Sequence, residues 1–145
     1  MPFTVDHTIP RQPEDVWRIM TDWKIAEYWL GVNKLRLVNP DKKPKAGSKL
    51  SYMVRGEPQP MEITAWKPSQ ELGLAATQGG IVVNYRYTLT PVEAGTRIQL
   101  ESKCVGDNTF WRLLAPLLEW SMRVADRRQL PALEKLVRVT TGSGN

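Results

Sequence analysis

Histidine and cysteine, two residue types that often perform chemistry, each occur once among the 145 residues, as His7 and Cys104. A histidine or cysteine metal site needs three or four such ligands, so composition excludes one. His7 shares the alternation of Val5 and Ile9, which is typical of an ordinary strand position. Cys104 is interpreted as a small buried residue, because no second histidine exists to activate it as a nucleophile.

The carboxylates do not form a recognisable catalytic pair. Glu14 and Asp15 lie in the first turn of a predicted helix, where the helix dipole stabilises them, and Glu62 and Glu101 follow the polar phase of their strands. Gly79-Gly80 is an isolated pair that suits a turn rather than a phosphate-binding loop. We therefore expect no cofactor and no metal, and no catalytic residue can be assigned.

Polar side chains on apolar faces are better functional candidates. Strand alternation places Tyr52, Tyr85, Tyr87 and Ser102 on inner faces, and Gln129 falls on the apolar stripe of a predicted helix. A buried hydroxyl or amide needs a hydrogen-bond partner, which is another residue, a water or a ligand. The alternative is that these groups are satisfied within the core. If a ligand is present, these five residues are predicted to orient its polar atoms.

The elements that position these residues follow from periodicity. A first strand is followed by two short helices that begin near Pro13 and Asp22. Trp66 falls in the polar phase of its strand, which predicts a position at a cavity mouth or on the outer surface. Period-two alternation predicts strands around residues 3–9, 35–37, 50–54, 61–65, 72–76, 81–90 and 97–103.

Residues 110–138 are predicted to form one long amphipathic helix. Its apolar stripe advances by three or four residues and contains Trp111, Leu114, Leu118, Met122, Ala125, Gln129, Ala132 and Leu136. A lone helix across a curved antiparallel sheet leaves a space unless bulky side chains fill it. The sequence therefore favours binding of an apolar molecule, with apolar walls from Trp29, Leu114, Leu118 and Met122.

Composition limits the class of protein. The apolar fraction of 41% and charged fraction of 24% are typical of a folded domain, and the length suits one domain. No signal peptide and no transmembrane segment is visible, and a single cysteine agrees with a cytoplasmic location. The net charge of +5 is interpreted as a solvated surface whose densest group is 41–45, so no nucleic-acid partner is expected.

Four segments carry a family resemblance. Residues 5–22 (VDHTIPRQPEDVWRIMTD), 64–68 (TAWKP), 89–97 (LTPVEAGTR) and 130–136 (LPALEKL) are similar to the START-like, or SRPBCC, superfamily, which includes Bet v 1 allergens and polyketide cyclase/dehydrase-like proteins. The resemblance implies an α+β helix-grip fold, in which an antiparallel sheet of six or seven strands wraps the C-terminal helix around an apolar cavity. It implies one domain over 1–138, and the Thr, Gly and Ser content of 139–145 predicts a flexible tail.

A shared fold does not define an activity, so three functions stay open at this point. The first is binding, and possible transport or sensing, of a hydrophobic or amphipathic small molecule by a monomer or homodimer. The second is a polyketide cyclase or dehydratase that uses the same cavity, for which an inward-facing His7 or carboxylate would be the sign. The third is a protein-interaction module with a filled core that uses an exposed Trp66 and the lysines of 42–45.

Overall fold

The computed structural model describes residues 3–30, 32–54, 56–78, 81–106 and 129–141. We number its strands β1–β7 and its helices α1–α3 in chain order. They are β1 (Phe3–Ile9), α1 (Pro13–Met20), α2 (Trp23–Leu30), β2 (Asn33–Leu37), β3 (Lys49–Val54), β4 (Glu57–Lys67), β5 (Glu71–Gln78), β6 (Ile81–Val92), β7 (Gly95–Gly106) and α3 (Gln129–Thr141).

The strands form one antiparallel seven-stranded sheet in the order β1-β7-β6-β5-β4-β3-β2. Every strand that alternation predicted is present, and two short helices follow β1 as expected. The inner face, which packs against the helices, carries buried apolar residues such as Ile63, Leu72, Leu74, Ile98 and Leu100. The α+β prediction is thus confirmed for the described part of the chain.

The two short helices begin where local chemistry favours a helix start. Pro13 opens α1, and Glu14 and Asp15 occupy its first turn. Asp22 precedes α2 and its Oδ1 accepts a hydrogen bond of 3.2 Å from the backbone N–H of Lys24, which is the predicted cap. Both helices pack against α3, so they fix its position over the sheet.

A β-bulge in β4 reverses the predicted direction of Trp66. Ile63 pairs with Leu74 but Ala65 pairs with Gly73, so Thr64 is an extra residue. The shift places Trp66 opposite Leu72 on the inner face, where it packs edge-on against Trp17 with ring centroids 5.0 Å apart. The outer-surface alternative for Trp66 was therefore wrong, because strict alternation assumes an unbroken period of two.

The C-terminal helix is described from Gln129 onward, and the predicted residues 110–128 lie outside the described residues. Leu130, Leu133 and Val137 of α3 are fully buried at steps of three and four, which confirms an amphipathic helix there. The buried stripe is displaced by one residue from the predicted Ala132 and Leu136, which are partly buried. The helix includes residues 139–141, which composition had assigned to the tail. Together these elements bring α2, β6 and α3 close to one another.

Candidate functional site

Tyr87 lies at the centre of a buried group of polar and aromatic side chains. It belongs to β6, is 0% exposed, and its hydroxyl donates a hydrogen bond of 2.6 Å to Oε1 of Gln129 on α3. The predicted inner-face position of both residues is therefore correct. A tyrosine on the sheet and an amide on the helix satisfy one another in a place with no access to bulk water.

Gln129 extends this contact to a third element. Its side-chain N–H group lies 3.5 Å from the backbone carbonyl of Leu30, the last residue of α2. Carbonyls at the end of a helix have no partner within the helix, so the amide supplies a donor where one is needed. One side chain thereby connects the sheet, α3 and the end of α2.

Trp29 of α2 completes this group and has an unsatisfied donor. Its ring packs edge-on against Tyr87 with centroids 5.3 Å apart, and the side chain is 1% exposed. Its indole Nε1–H has no hydrogen-bond partner among the described residues, and the same holds for Trp23 on the same helix. A buried N–H without an acceptor costs about 1–3 kcal/mol, so an acceptor placed there would be favoured.

Tyr85 and Ser102 lie beside Tyr87 on the inner face. Tyr85 stacks on Tyr87 with centroids 6.3 Å apart, and Ser102 of β7 is its register partner and is buried. We call Trp29, Tyr85, Tyr87 and Gln129 the Tyr87 cluster.

Tyr52 occupies a separate position on β3. Its hydroxyl donates a hydrogen bond of 2.8 Å to the backbone carbonyl of Thr77 on β5, and burial raises the pKa of its phenol. Its hydroxyl is thus satisfied by backbone, as the alternative interpretation of the sequence allowed. Leu114, Leu118 and Met122, predicted as apolar walls, lie outside the described residues.

A charged contact that the sequence did not reveal joins β1 to α3. His7 Nε2 lies 2.6 Å from Oε1 of Glu134, and Oε2 of Glu134 accepts a hydrogen bond of 2.7 Å from Nε of Arg138. Burial alone would raise the pKa of Glu134, but hydrogen bonds from Arg138 and His7 and their charges lower it overall. His7 and Glu134 are 127 residues apart, and no local pattern connects them.

Open clefts also occur on the described surface. One of about 1080 Å³ lies between the start of α1 and the turns that follow β4 and β6, and none of the predicted site residues lines it.

Among the described residues, no group of three or more histidine, cysteine or carboxylate side chains is arranged to hold a metal ion. In the same part of the chain, no helix is both long and apolar enough to span a bilayer.

Sequence and structure comparisons now identify the class. The chain belongs to the family described as polyketide cyclase/dehydrase and lipid transport, which matches residues 2–138 and confirms the predicted resemblance. No curated protein matches the chain.

Solved structures share the fold over nearly the whole chain. Protein MLL2253 from Mesorhizobium loti is 22% identical, with a TM-score of 0.71 over 97% of this chain and 98% of that chain. TTHA0849 from Thermus thermophilus is 20% identical, with a TM-score of 0.74 over 97% and 99%. Ara h 8.0201 is 14% identical, with a TM-score of 0.68 over 94% and 97%. These similarities confirm the helix-grip fold.

Proposed function

We propose that the protein binds a hydrophobic or amphipathic small molecule between the sheet and the C-terminal helix. The observation that carries this proposal is the buried indole N–H of Trp29, which has no acceptor among the described residues and lies against Tyr87. The family description, which includes lipid transport, supports the same conclusion.

The chemistry around Trp29 indicates the kind of ligand. The inner face is apolar, Tyr87 donates to Gln129, and the indole N–H of Trp29 is a donor without an acceptor among the described residues. An alkyl or aryl chain that carries one neutral oxygen acceptor would bury its apolar part and supply the missing hydrogen bond. Leu114, Leu118 and Met122 are kept as proposed contacts of the apolar part. Tyr52, Tyr85 and Ser102 are kept as proposed contacts of the polar atoms.

Displacement of the fluorescent probe N-phenyl-1-naphthylamine tests this proposal. Dodecanol and dodecyl chloride have the same chain, but only dodecanol has a good oxygen acceptor. We expect dodecanol to compete about three- to ten-fold better, as one neutral hydrogen bond predicts. Trp29→Phe is expected to bring the ratio of the two affinities close to one.

Trp17→Phe is the matched control, because Trp17 is a similarly buried tryptophan that packs on Trp66 rather than on Tyr87. The ratio of affinities should be kept in this variant. Absence of saturable probe binding, or an unchanged ratio in Trp29→Phe, would contradict the proposal.

The second candidate is a cyclase or dehydratase of polyketide-like substrates, and the specific observation in its favour is the contact between His7 and Glu134. A carboxylate beside an imidazole is a common arrangement for a general base. We rank it second because the Glu134 carboxylate already forms an ion pair with Arg138. Residues 129 and 134 are five apart, which places them about 140° apart around the helix axis, away from the Tyr87 cluster.

Incubation with a linear poly-β-keto thioester distinguishes this candidate. An enzyme would accelerate loss of water from the substrate, detected by mass spectrometry, and His7→Gln would abolish that acceleration while Asp6→Asn, an exposed neighbour, would retain it. Conversion at the uncatalysed rate would exclude this candidate for the substrate used.

The interaction module is not favoured, because Trp66 packs inward on Trp17. We also retain a cytoplasmic location, a monomer or homodimer, and a single domain over 1–138 as proposals.

A further inference from the structure

The net charge of the chain is concentrated in one segment. Residues 33–49, which we call the basic segment, contain six cations and one acid, Asp41, for a net charge of +5. That equals the net charge of the whole chain, and the other residues contain 14 cations and 14 acids. The cations of the segment are Lys34, Arg36, Lys42, Lys43, Lys45 and Lys49.

The fold places this charge on one exposed edge. The basic segment comprises β2, which is the last strand of the sheet, the loop that follows it and the first residue of β3. All six cations are exposed, and Lys42, Lys43, Lys45 and Lys49 line one cleft of about 220 Å³. Three of these lysines, Lys42, Lys43 and Lys45, bring like charges to one small cleft, and an anion bound there would offset their repulsion.

Most of these cations have no acidic partner. Lys49 pairs with Glu62, but within the described part of the chain the other five form no ion pair. Elsewhere Arg86, Arg97 and Arg138 each contact a carboxylate. Protection of a sheet edge against aggregation would explain Lys34 and Arg36 on β2, but not the three lysines of the loop.

Exposed apolar side chains flank the charge. Val38, within the basic segment, is 54% exposed, and Tyr28 of α2 is 68% exposed. Tyr28 lines a groove together with Lys34. Lysine beside exposed aliphatic and aromatic side chains suits the interface of a membrane, where the cations meet anionic headgroups and the apolar groups enter the acyl boundary.

We propose that the basic segment, with Tyr28, docks the protein on the surface of an anionic lipid membrane. This goes beyond the proposed ligand site and does not depend on it. Single-stranded nucleic acid fits less well, because the proposed surface offers one aromatic side chain, Tyr28, and residues 33–49 add none on which further bases would stack. An acidic protein surface would pair with the cations, but it would not accept Val38 and Tyr28 as inserted groups in the way that a membrane does.

Sedimentation with lipid vesicles tests the proposal on the full chain. We expect binding to vesicles of phosphatidylcholine mixed with phosphatidylserine, little binding to phosphatidylcholine alone, and weakening at high salt. The variant K42Q/K43Q/K45Q should lose binding by roughly five-fold for each charge removed. The control K67Q/K103Q/K135Q removes the same charge from β4, β7 and α3, and should bind more tightly than the first variant.

A second pair of variants separates docking from simple charge attraction. Tyr28→Ser with Val38→Ser should reduce the binding that persists at high salt, while thermal unfolding stays close to wild type because both side chains are exposed. Equal loss in the two triple variants, equal binding to neutral and anionic vesicles, or binding only to an acidic protein or to nucleic acid would overturn the proposal.

Discussion

Helix α3 is attached to the sheet by two polar contacts of different character. Near its first described residue, Gln129 meets Tyr87 in a neutral contact between side chains that are 5% and 0% exposed. Five residues later, Glu134 meets His7 of β1 in a contact with a charged carboxylate, where the side chains are 22% and 29% exposed. The first contact joins α3 to the central part of the sheet, and the second joins it to an edge strand.

The two contacts differ in role: the Glu134 contact is structural, and the Tyr87 contact lies where a ligand is proposed to bind. Glu134 shares its two oxygens between His7 and Arg138, and water still reaches the group, so its main effect is to orient α3. The Tyr87 contact is buried and stands beside the indole of Trp29, whose N–H has no acceptor in the part of the chain that the structure describes. A ligand that brings an acceptor gains more beside Tyr87, because a hydrogen bond is stronger at a buried position than at one that solvent reaches.

The largest expected loss of stability follows from a substitution at the residue between the two contacts. Leu133 is fully buried one helical turn after Gln129 and next to Glu134. Leu133→Ala should lower the free energy of unfolding by about 2–5 kcal/mol, because it removes buried methyl groups and leaves a cavity. Urea unfolding measures this loss. Val139→Ala, at a residue of the same helix that is 66% exposed, should change it by less than about 0.5 kcal/mol.

Tyr87→Phe should have the next largest effect. It removes the hydroxyl that donates to Gln129 and costs about 1–3 kcal/mol, with little dependence on salt because neither group is charged. Urea unfolding at low and high salt measures this. Tyr28→Phe removes a hydroxyl from a side chain that is 68% exposed and should have no measurable effect, so equal losses in the two variants would contradict the assigned role.

Glu134→Gln should cost less, about 0.5–1 kcal/mol at neutral pH, since the contact is partly exposed. This loss should shrink at high salt, in contrast to that of Tyr87→Phe. Asp6→Asn, which breaks a more exposed pair with Arg97, is the control. Its loss of unfolding free energy should be about 0.5 kcal/mol or less. A loss in Glu134→Gln that is independent of salt would show that charge does not hold this contact.

The smallest expected effect is the pH dependence of the stability that the Glu134 contact provides. Because the pKa of Glu134 is lowered in the folded protein, the unfolded state binds a proton more readily, and the pair stabilises the fold above the ordinary carboxyl pKa. That stabilisation is lost as pH falls through the lowered pKa. The difference in stability between wild type and Glu134→Gln should therefore narrow as pH falls through the lowered pKa of Glu134. Unfolding experiments across this range would reject the assignment if the difference grew in acid.

Much of the fold could be predicted because it depends on local patterns. The alternation along residues 81–90 and 97–103 indicated the hairpin of β6 and β7, and Pro13 and Asp22 marked the starts of α1 and α2. The inner-face positions of Tyr87 and Gln129 followed from the same patterns, and both are buried.

Contacts between distant elements could not be predicted in the same way. Periodicity assigns a residue to a face, but it does not say which residue of another element lies opposite. The helical pattern placed Glu134 on the polar side of α3, and nothing local indicated that this side reaches His7 on β1. The six cations of the basic segment were visible, but the cleft that four of them share depends on how the loop folds onto β3.

The bulge at Thr64 links the substitutions that two distant positions can accept. A side chain at Gly73 would press its Cβ against the Thr64 hydroxyl oxygen and against Ala65, so a larger residue at 73 requires a shift of the Thr64 side chain and of Ala65, or loss of the extra residue itself. Deleting that residue would restore the simple alternation with Trp66 two positions after Ile63, so Trp66 would stay on the inner face against Trp17. In evolutionary terms, positions 64 and 73 should vary together among relatives, and an alignment that places no gap in β4 should match the wrong residue to Trp66 in a relative that lacks the extra residue.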